Sequence, residues 1–245
     1  MSDAGGFAPT GFSPRGFAPR DWDSHPPYLS PDYKSTPLRA PTKPLVILPQ
    51  SLSELSGPVY GQDAVGALDH DLTKLGAKTG QPNGERIIVA GTVADEDGHP
   101  VPNILLEVWQ PNAAGRYNHG DDQHDAPIDP NFLGAGRCVT DEAGRYRFIT
   151  VKPGAYPWPN HFNAWRPAHI HFSLFGPSIL TRLITQMYFP GDPLLALDPI
   201  FNGVPAASRP LLVSEFSIAL SEPEWALGYE FNICLRGRTA TPLEA

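Results

Sequence analysis

The sequence has few cysteines and no long apolar run. Its 245 residues include only two cysteines, Cys138 and Cys234, and two thiols in a chain of this length are usually separate buried side chains rather than a disulfide. No apolar stretch reaches the roughly 18 residues that a membrane-spanning helix needs. Residues 1–17 lack the basic-then-apolar order of a signal peptide. We therefore expect a cytoplasmic protein that does not bind a membrane.

Positive charge is also scarce. The chain has 18 Lys and Arg against 26 Asp and Glu, which gives a formal net charge of −8. A nucleic-acid-binding protein would show a basic stripe or patch, so the composition argues against that class. A small anionic substrate is compatible with this net charge, because binding of a small ligand depends more on the local charge of the cleft than on the net charge of the chain.

Proline and glycine are abundant instead, with 29 and 23 residues. Proline fixes φ and removes a backbone donor, so long helices are not expected. The first 84 residues are rich in proline, and we predict that they form an extended arm with at most a short helix, near residues 63–75. Leaving large apolar side chains of this arm in water is costly, so it should wrap its own domain or a partner subunit. These side chains are Trp22, Tyr28, Tyr33 and residues 45–48.

Residues 85–245 are predicted to form one domain, an all-β antiparallel sandwich. Short runs rich in β-branched and aromatic residues alternate with Asp, Gly and Pro turn signals, which is typical of this architecture. Two long connections, 111–137 and 190–210, interrupt the strands, and connections of this length are usually functional. The expected strands are 86–93, 104–110, 145–151, 168–176, 183–189, 211–220 and 228–235.

The strongest local signal for chemistry is the run Arg166-Pro167-Ala168-His169-Ile170-His171. On a strand, His169 and His171 point to the same face, and two neighbouring imidazoles are a common metal-binding pair. The same pair is also compatible with an ordinary polar face. No cysteine accompanies it, so a thiolate zinc site is not expected. A ferrous site with two histidines and one carboxylate stays open, although carboxylates are few nearby.

Two tyrosines stand out near these histidines. Tyr117 lies in the first long connection, and Tyr156 lies in the rigid run Pro-Gly-Ala-Tyr-Pro-Trp-Pro. A short proline-flanked turn aims the phenol, and a bound cation can remove its proton. Phenolate is a hard anionic donor that suits trivalent iron. For either tyrosine alone, packing is the simpler interpretation.

Several motifs, in order, resemble the intradiol ring-cleavage dioxygenase family. They are TVADEDGHPVPNILLEVWQPNAAGRY, DQHDAPIDPNFLG, TDEAGRYRFITVKPGAYPWPN and WRPAHIHFSLFG. The resemblance extends over residues 25 to 236, nearly the whole chain. The run HPPYLSPDYKST near the start is similar to the branch of the family that acts on protocatechuate.

The resemblance implies a non-haem ferric dioxygenase of aromatic catabolism, in the β-ketoadipate pathway. Such an enzyme cleaves protocatechuate with O2 between the two hydroxylated carbons to give 3-carboxy-cis,cis-muconate. A homologous alpha subunit would be the partner in a hetero-oligomer. The family's ligand pattern implies one Fe(III) per chain, bound by Tyr117, Tyr156, His169 and His171.

The resemblance also implies catalytic and substrate-binding roles. Arg166 would stabilise a catecholate beside the metal, and Tyr156 would be the axial ligand that accepts a proton from the substrate. The substrate's carboxylate would be contacted at least partly by another chain, because Arg166 is committed to the metal centre. The expected substrate contacts are Tyr33, Trp158, Gln186 and Ile200.

Two alternatives remain open at this point. The first is an intradiol dioxygenase for catechol or hydroxyquinol, but that branch is expected to carry a helical dimerisation region where this chain is proline-rich. The second is a non-catalytic β-sandwich binding module, because residues 91–109 also resemble strands of metal-free sandwiches. The complete set of two tyrosines and two histidines favours the enzyme.

Overall fold

The computed structural model describes residues 25–43, 62–160, 162–176, 182–237 and 239–244. Trp22 and residues 45–48 of the predicted arm lie outside these ranges. The strands are β1 (Arg86–Ala94), β2 (Leu105–Trp109), β3 (Ala135–Val139), β4 (Arg145–Val151), β5 (Tyr156–Pro157), β6 (Trp165–Arg166), β7 (His169–Phe175), β8 (Leu183–Tyr188), β9 (Glu215–Glu222), β10 (Ala226–Glu230) and β11 (Ile233–Cys234). The helices are α1 (Thr36–Arg39) and α2 (Pro199–Gly203), with 3₁₀ turns at Gln62–Ala64, Pro193–Ala196 and Arg209–Leu212.

The strands form two main sheets, which confirms the predicted all-β sandwich. One sheet has the order β4-β1-β10-β9, with β11 pairing the far end of β1, and the other has the order β3-β2-β7-β8. The pairs within the second sheet are antiparallel. In the first sheet, β1 pairs in parallel with both β10 and β11, a feature that the strand pattern did not predict.

The largest apolar cluster among the described residues lies between the two sheets. Alternate residues of β1, including Ile87 and Val89, join alternate residues of β7 in this core: Ile170, Phe172 and Leu174, all fully buried. Burial of each such side chain contributes about 1.5–3 kcal/mol. Because side chains alternate along a strand, the residues between them on β7 must face away from the core. His169 and His171 occupy those outward positions.

The structure divides the predicted strand 228–235 into β10 and β11 and adds the short strands β5 and β6. Two further differences lie before β1 and in the first long connection. The prediction of a helix near residues 63–75 is wrong. In this segment only Gln62–Ala64 is helical, as a 3₁₀ turn, and Asp71 then forms a β-bridge with Ile149 of β4. Strand β3 was not predicted, because it begins inside the connection that we expected to extend to residue 137. Both differences arise from pairing with distant strands, which overrides local propensity.

The described part of the arm lies against the sandwich domain. The backbone amide of Lys34 donates to the carbonyl of Asn160 at 3.2 Å, and the amide of Ser35 donates to the Asn160 side chain at 2.9 Å. The division at residue 84 between arm and domain stays a prediction. Both cysteines are free thiols, as expected. In the described ranges, no helix is both long and apolar enough to cross a membrane.

Candidate metal centre

Strand register brings the predicted histidines beside polar partners on the outer face of the second sheet. His171 on β7 lies directly opposite Trp109 on β2 and Gln186 on β8, and His169 lies opposite Tyr188. Directly opposite residues share a face of the sheet. The Trp109 and His171 rings are stacked, with centroids 4.8 Å apart and planes 2° from parallel. The sheet therefore fixes both the position and the plane of the His171 ring.

Two glycines let the tyrosine-bearing loops meet. Gly115 has φ +77°, and a Cβ there would lie 2.0 Å from the carbonyl oxygen of Ala155. Only glycine accommodates both the left-handed backbone and this close approach. The amide of Gly154 donates to the carbonyl of Asn112 at 3.0 Å and ties the two loops together. The loop of Tyr117 is thereby held against the loop of Tyr156.

The four predicted ligands lie in one continuous cluster. The Tyr117 hydroxyl lies 3.2 Å from Nε2 of His171. The Tyr117 and Tyr156 rings pack edge to face with centroids 5.0 Å apart, and the His169 and His171 rings do so at 4.8 Å. Residues separated by up to 54 positions in sequence thus place two phenols and two imidazoles side by side.

Hydrogen bonds at Nδ1 orient both imidazoles. Nδ1 of His169 donates to the carbonyl of Pro167 at 2.7 Å. Nδ1 of His171 faces the Glu244 carboxylate at 3.0 Å. When Nδ1 carries the proton, Nε2 has the free lone pair. In this structure, Nε2 of His169 accepts from Nη1 of Arg166 at 3.1 Å, and Nε2 of His171 accepts from the Tyr117 hydroxyl.

Burial keeps several of these groups neutral. It lowers the pKa of His169 well below its ordinary value, and the neighbouring Arg166 and His171 lower it further. Burial raises the pKa of Tyr117, partly offset by the positive charge of Arg166. Burial, followed by the charge of Asp122, also raises the pKa of Tyr156. In the absence of a cation, His169 is therefore a neutral imidazole and both tyrosines are neutral phenols.

Arg166 is the centre of a buried polar network. Its guanidinium donates to both oxygens of Asp198, at 3.2 and 2.9 Å, to Oε1 of Gln186 at 2.7 Å and to the Tyr188 hydroxyl at 3.0 Å. Burial lowers the pKa of Arg166, but Tyr188 and Asp198 more than offset this and raise it above the ordinary value. A buried ion pair of this kind persists because its hydrogen bonds are satisfied, and it holds a fixed positive charge beside His169.

Arm residues reach the mouth of the site. The Tyr33 ring packs edge to face on Trp158 with centroids 4.9 Å apart. The Arg39 guanidinium lies 4.7 Å from the Tyr33 ring centroid, and the Arg166 guanidinium lies 5.6 Å from that of Trp158. Tyr33 and Trp158 therefore form one wall that runs from the arm to the arginine network.

The two other expected substrate contacts lie deeper. Ile200 is buried at the start of α2, next to Asp198, whose carboxylate accepts from its amide at 3.4 Å. Gln186 is 2% exposed, and its side chain lies within hydrogen-bonding reach of the Glu244 carboxylate beside His171.

Sequence reasoning missed several groups of this site. Asp198 precedes Pro199 at the cap of α2, a local signal that could have been used. Trp109 and Tyr188 are found only from strand register, and Glu244 has no local signal because it lies 73 positions from His171. His119, a further histidine of the first long connection, has a side chain 70% exposed and pairs with Asp121.

Comparison with known proteins identifies the family. A family model described as "Dioxygenase" matches residues 55–237, and one described as "Protocatechuate 3,4-dioxygenase beta subunit N terminal" matches residues 18–51. The protocatechuate 3,4-dioxygenase beta chain of Burkholderia cepacia is 64% identical over 91% of this chain and 95% of its own length. The protocatechuate 3,4-dioxygenase alpha chain of Pseudomonas putida is 31% identical over 81% of this chain and 97% of its own length.

A solved structure supports the same relation. The 3-chlorocatechol 1,2-dioxygenase of Rhodococcus opacus 1CP superposes with a TM-score of 0.54 and 25% identity, over 69% of this chain and 66% of that one. The sandwich fold and the family matches over three quarters of the chain agree with the motifs found in the sequence. The chain belongs to the intradiol ring-cleavage dioxygenase family.

Proposed function

We propose that this chain is the iron-binding beta chain of a protocatechuate 3,4-dioxygenase. The reaction converts protocatechuate and O2 to 3-carboxy-cis,cis-muconate, and both oxygen atoms enter the product as the bond between the hydroxylated carbons breaks. The observation that carries the proposal is the cluster of Tyr117, Tyr156, His169 and His171. It occurs in a chain that is 64% identical to a protein of that name.

The donor set fits a trivalent iron ion. Two phenols and two imidazoles supply two hard anionic oxygens, once deprotonated, and two neutral nitrogens. Burial keeps His169 neutral and the phenols protonated when no cation is bound, so a cation is required to convert Tyr117 to phenolate. We infer that Tyr117, Tyr156, His169 and His171 bind one Fe(III) per chain. When bound, ferric iron supplies Lewis acidity and a route for electrons from the catecholate to O2.

The residues around the cluster have separate tasks. With the ion bound, Tyr156 would be a phenolate whose Oη could take one of the two catechol protons. Tyr156 is only half buried and lies on the two-residue strand β5, so its side chain could turn away with that proton. Arg166 contributes a fixed positive charge that favours the deprotonated substrate. Asp198 and Gln186 hold that guanidinium in place, so it does not depend on substrate for its orientation.

The substrate ring would lie against Trp158, Tyr33 and Ile200. Aromatic walls of this kind orient a flat ligand. The ring's carboxylate needs a cation, and Arg166 is engaged with Asp198. Arg39, exposed and stacked on Tyr33, supplies one from this chain, and a second contact would come from the partner. Similarity to alpha chains supports a homologous alpha subunit as that partner, and a cytoplasmic location stays part of the proposal.

Purification of the chain with and without a co-expressed alpha partner tests the proposal. We expect one iron per beta chain, a visible absorption band from phenolate bound to ferric iron, and uptake of one O2 per protocatechuate consumed. A colourless, iron-free protein that takes up no O2 in either form would overturn it. Catechol and hydroxyquinol, assayed in parallel, decide between this branch and the alternative branch of the family.

A further inference from the structure

Glu244 reaches the candidate metal centre from a distant part of the sequence. Its carboxylate oxygen lies 3.0 Å from Nδ1 of His171, and its side chain is 23% exposed. Its backbone amide donates to the carbonyl of Ile184 on β8 at 2.8 Å. The backbone that carries the carboxylate is therefore hydrogen-bonded to the sheet.

Further contacts fix the segment 239–244 beside β8. The Thr185 hydroxyl donates to the carbonyl of Pro242 at 2.7 Å, and the amide of Thr241 donates to the carbonyl of Cys234 at 2.9 Å. The amide of Leu243 donates to Nδ1 of His25 in the arm at 3.2 Å. Bonds from the three residues before Glu244 and from its own amide leave its side chain little freedom to turn away from His171.

We propose that Glu244 is a positioning residue that holds His171 in the tautomer with the proton on Nδ1 and so directs the Nε2 lone pair at the metal. The inference rests on the proposed metal-binding function. It makes a prediction for the metal-free chain as well, because the hydrogen bond exists without the ion.

The two histidines need different acceptors because their surroundings differ. His169 is fixed by the carbonyl of Pro167, two residues earlier on the same chain segment. His171 lies mid-strand, where the neighbouring backbone groups are used by pairing with β2 and β8. Its ring plane is set by Trp109, but stacking does not choose which nitrogen carries the proton. A carboxylate at Nδ1 makes that choice and raises the basicity of Nε2.

Three variants of the full chain, purified in its native assembly, test the proposal. Glu244→Ala removes the acceptor, Glu244→Gln keeps an acceptor without the charge, and Glu142→Gln is the matched control on an exposed turn. The first measurement is loss of ferric iron to a chelator together with the position of the visible absorption band. The second is the ¹⁵N spectrum of His171 in the metal-free protein, which reports the tautomer.

We expect Glu244→Ala to bind iron about 10–100-fold more weakly, with a shifted absorption band and a mixed His171 tautomer. Glu244→Gln should lie between Glu244→Ala and wild type, and Glu142→Gln should match wild type. An unchanged tautomer in Glu244→Ala would overturn the proposal, even if iron were lost, because the residue would then act only on local stability. Wild-type iron affinity in Glu244→Ala would also overturn it. If the wild type binds no iron, the proposed function fails, and the tautomer measurement still decides the role of Glu244.

Discussion

His169 and Tyr156 belong to the same donor cluster but differ in how firmly they are held. His169 is 1% exposed, and both of its nitrogens have partners, Pro167 and Arg166. Tyr156 is half buried, on the two-residue strand β5. A histidine held in this way is a fixed point of the site, whereas a phenol on a short ribbon can turn without disturbing the sheet.

Replacement of these two kinds of donor should therefore have different effects. We expect His171→Ala to abolish iron retention, because it removes a nitrogen donor fixed by the sheet. Tyr156→Phe should retain iron through three donors but bind protocatechuate at least tenfold more slowly, because the proton acceptor is lost. Metal analysis and stopped-flow substrate binding are the measurements. Full iron occupancy in His171→Ala would remove that residue from the ligand set, and wild-type binding kinetics in Tyr156→Phe would remove Tyr156 as the proton acceptor.

Strand alternation predicted that His169 and His171 share one face of a strand, and the structure confirms this placement. Their roles as metal ligands, like those of Tyr117 and Tyr156, stay predictions. Two of the partners that orient the histidines could not be predicted, because Trp109 and Glu244 reach His171 only through contacts between distant segments. The four roles assigned to Tyr33, Trp158, Gln186 and Ile200 stay predictions.

Among the elements, the segment before β1 departs most from its predicted form. It has too few buried apolar positions for a helix, and it gains hydrogen bonds along β4 instead: the amide of Leu72 donates to the carbonyl of Ile149, and the amide of Ile149 donates to the carbonyl of His70. Asp71 is buried at this junction and accepts from the amide and hydroxyl of Thr73, at 3.1 and 2.5 Å, and from Lys74 at 3.0 Å.

These contacts predict a pH-dependent contribution of Asp71 to stability. Burial raises the pKa of Asp71, but its bonds to Thr73 and Lys74 outweigh burial and lower it below the ordinary value. The stabilisation is thus present above the unfolded pKa of about 3.9 and is lost as the pH falls through the folded pKa. We expect Asp71→Asn to lower the free energy of unfolding by about 1–3 kcal/mol at pH 7, a difference that shrinks below about pH 4.

Urea unfolding at a series of pH values measures this difference. Asp63→Asn, at an exposed position nearby, is the control and should show no such loss. A destabilisation by Asp71→Asn that stays constant from pH 7 to pH 3 would mean that the carboxylate charge contributes nothing.

For the molecule as a whole, the arm brings side chains of its own to the candidate site. It provides Tyr33 and Arg39 at the mouth of the site, and His25 beside the segment 239–244. The sequence predicted an arm that wraps the domain or a partner, from the apolar side chains that a proline-rich segment cannot bury alone. It could not predict which side chains would reach the site, because that depends on where the chain crosses the domain surface.

The position of Arg39 predicts a change in substrate preference. We expect Arg39→Ala to raise the KM for protocatechuate about tenfold, equivalent to about 1.4 kcal/mol, and to leave the KM for catechol unchanged, because catechol has no carboxylate. Steady-state O2 uptake with both substrates is the measurement, and Lys43→Ala, also exposed on the arm, is the control. Equal effects of Arg39→Ala on both substrates would assign the carboxylate contact to another chain.

The parallel pairing of β1 with β10 has a consequence for how the chain is made. Ile87 of β1 pairs with Leu227, and nearby contacts across the same sheet span 140 positions. At about 5–20 residues per second, a ribosome makes β10 roughly 7–28 s after β1. Even after β4 has paired with one side of β1, the other edge of this β-branched run stays open until β10 is made, which is the condition that invites pairing with other chains. Newly made copies should therefore depend on chaperones and on low crowding during synthesis, and overexpression at reduced temperature should raise the soluble yield.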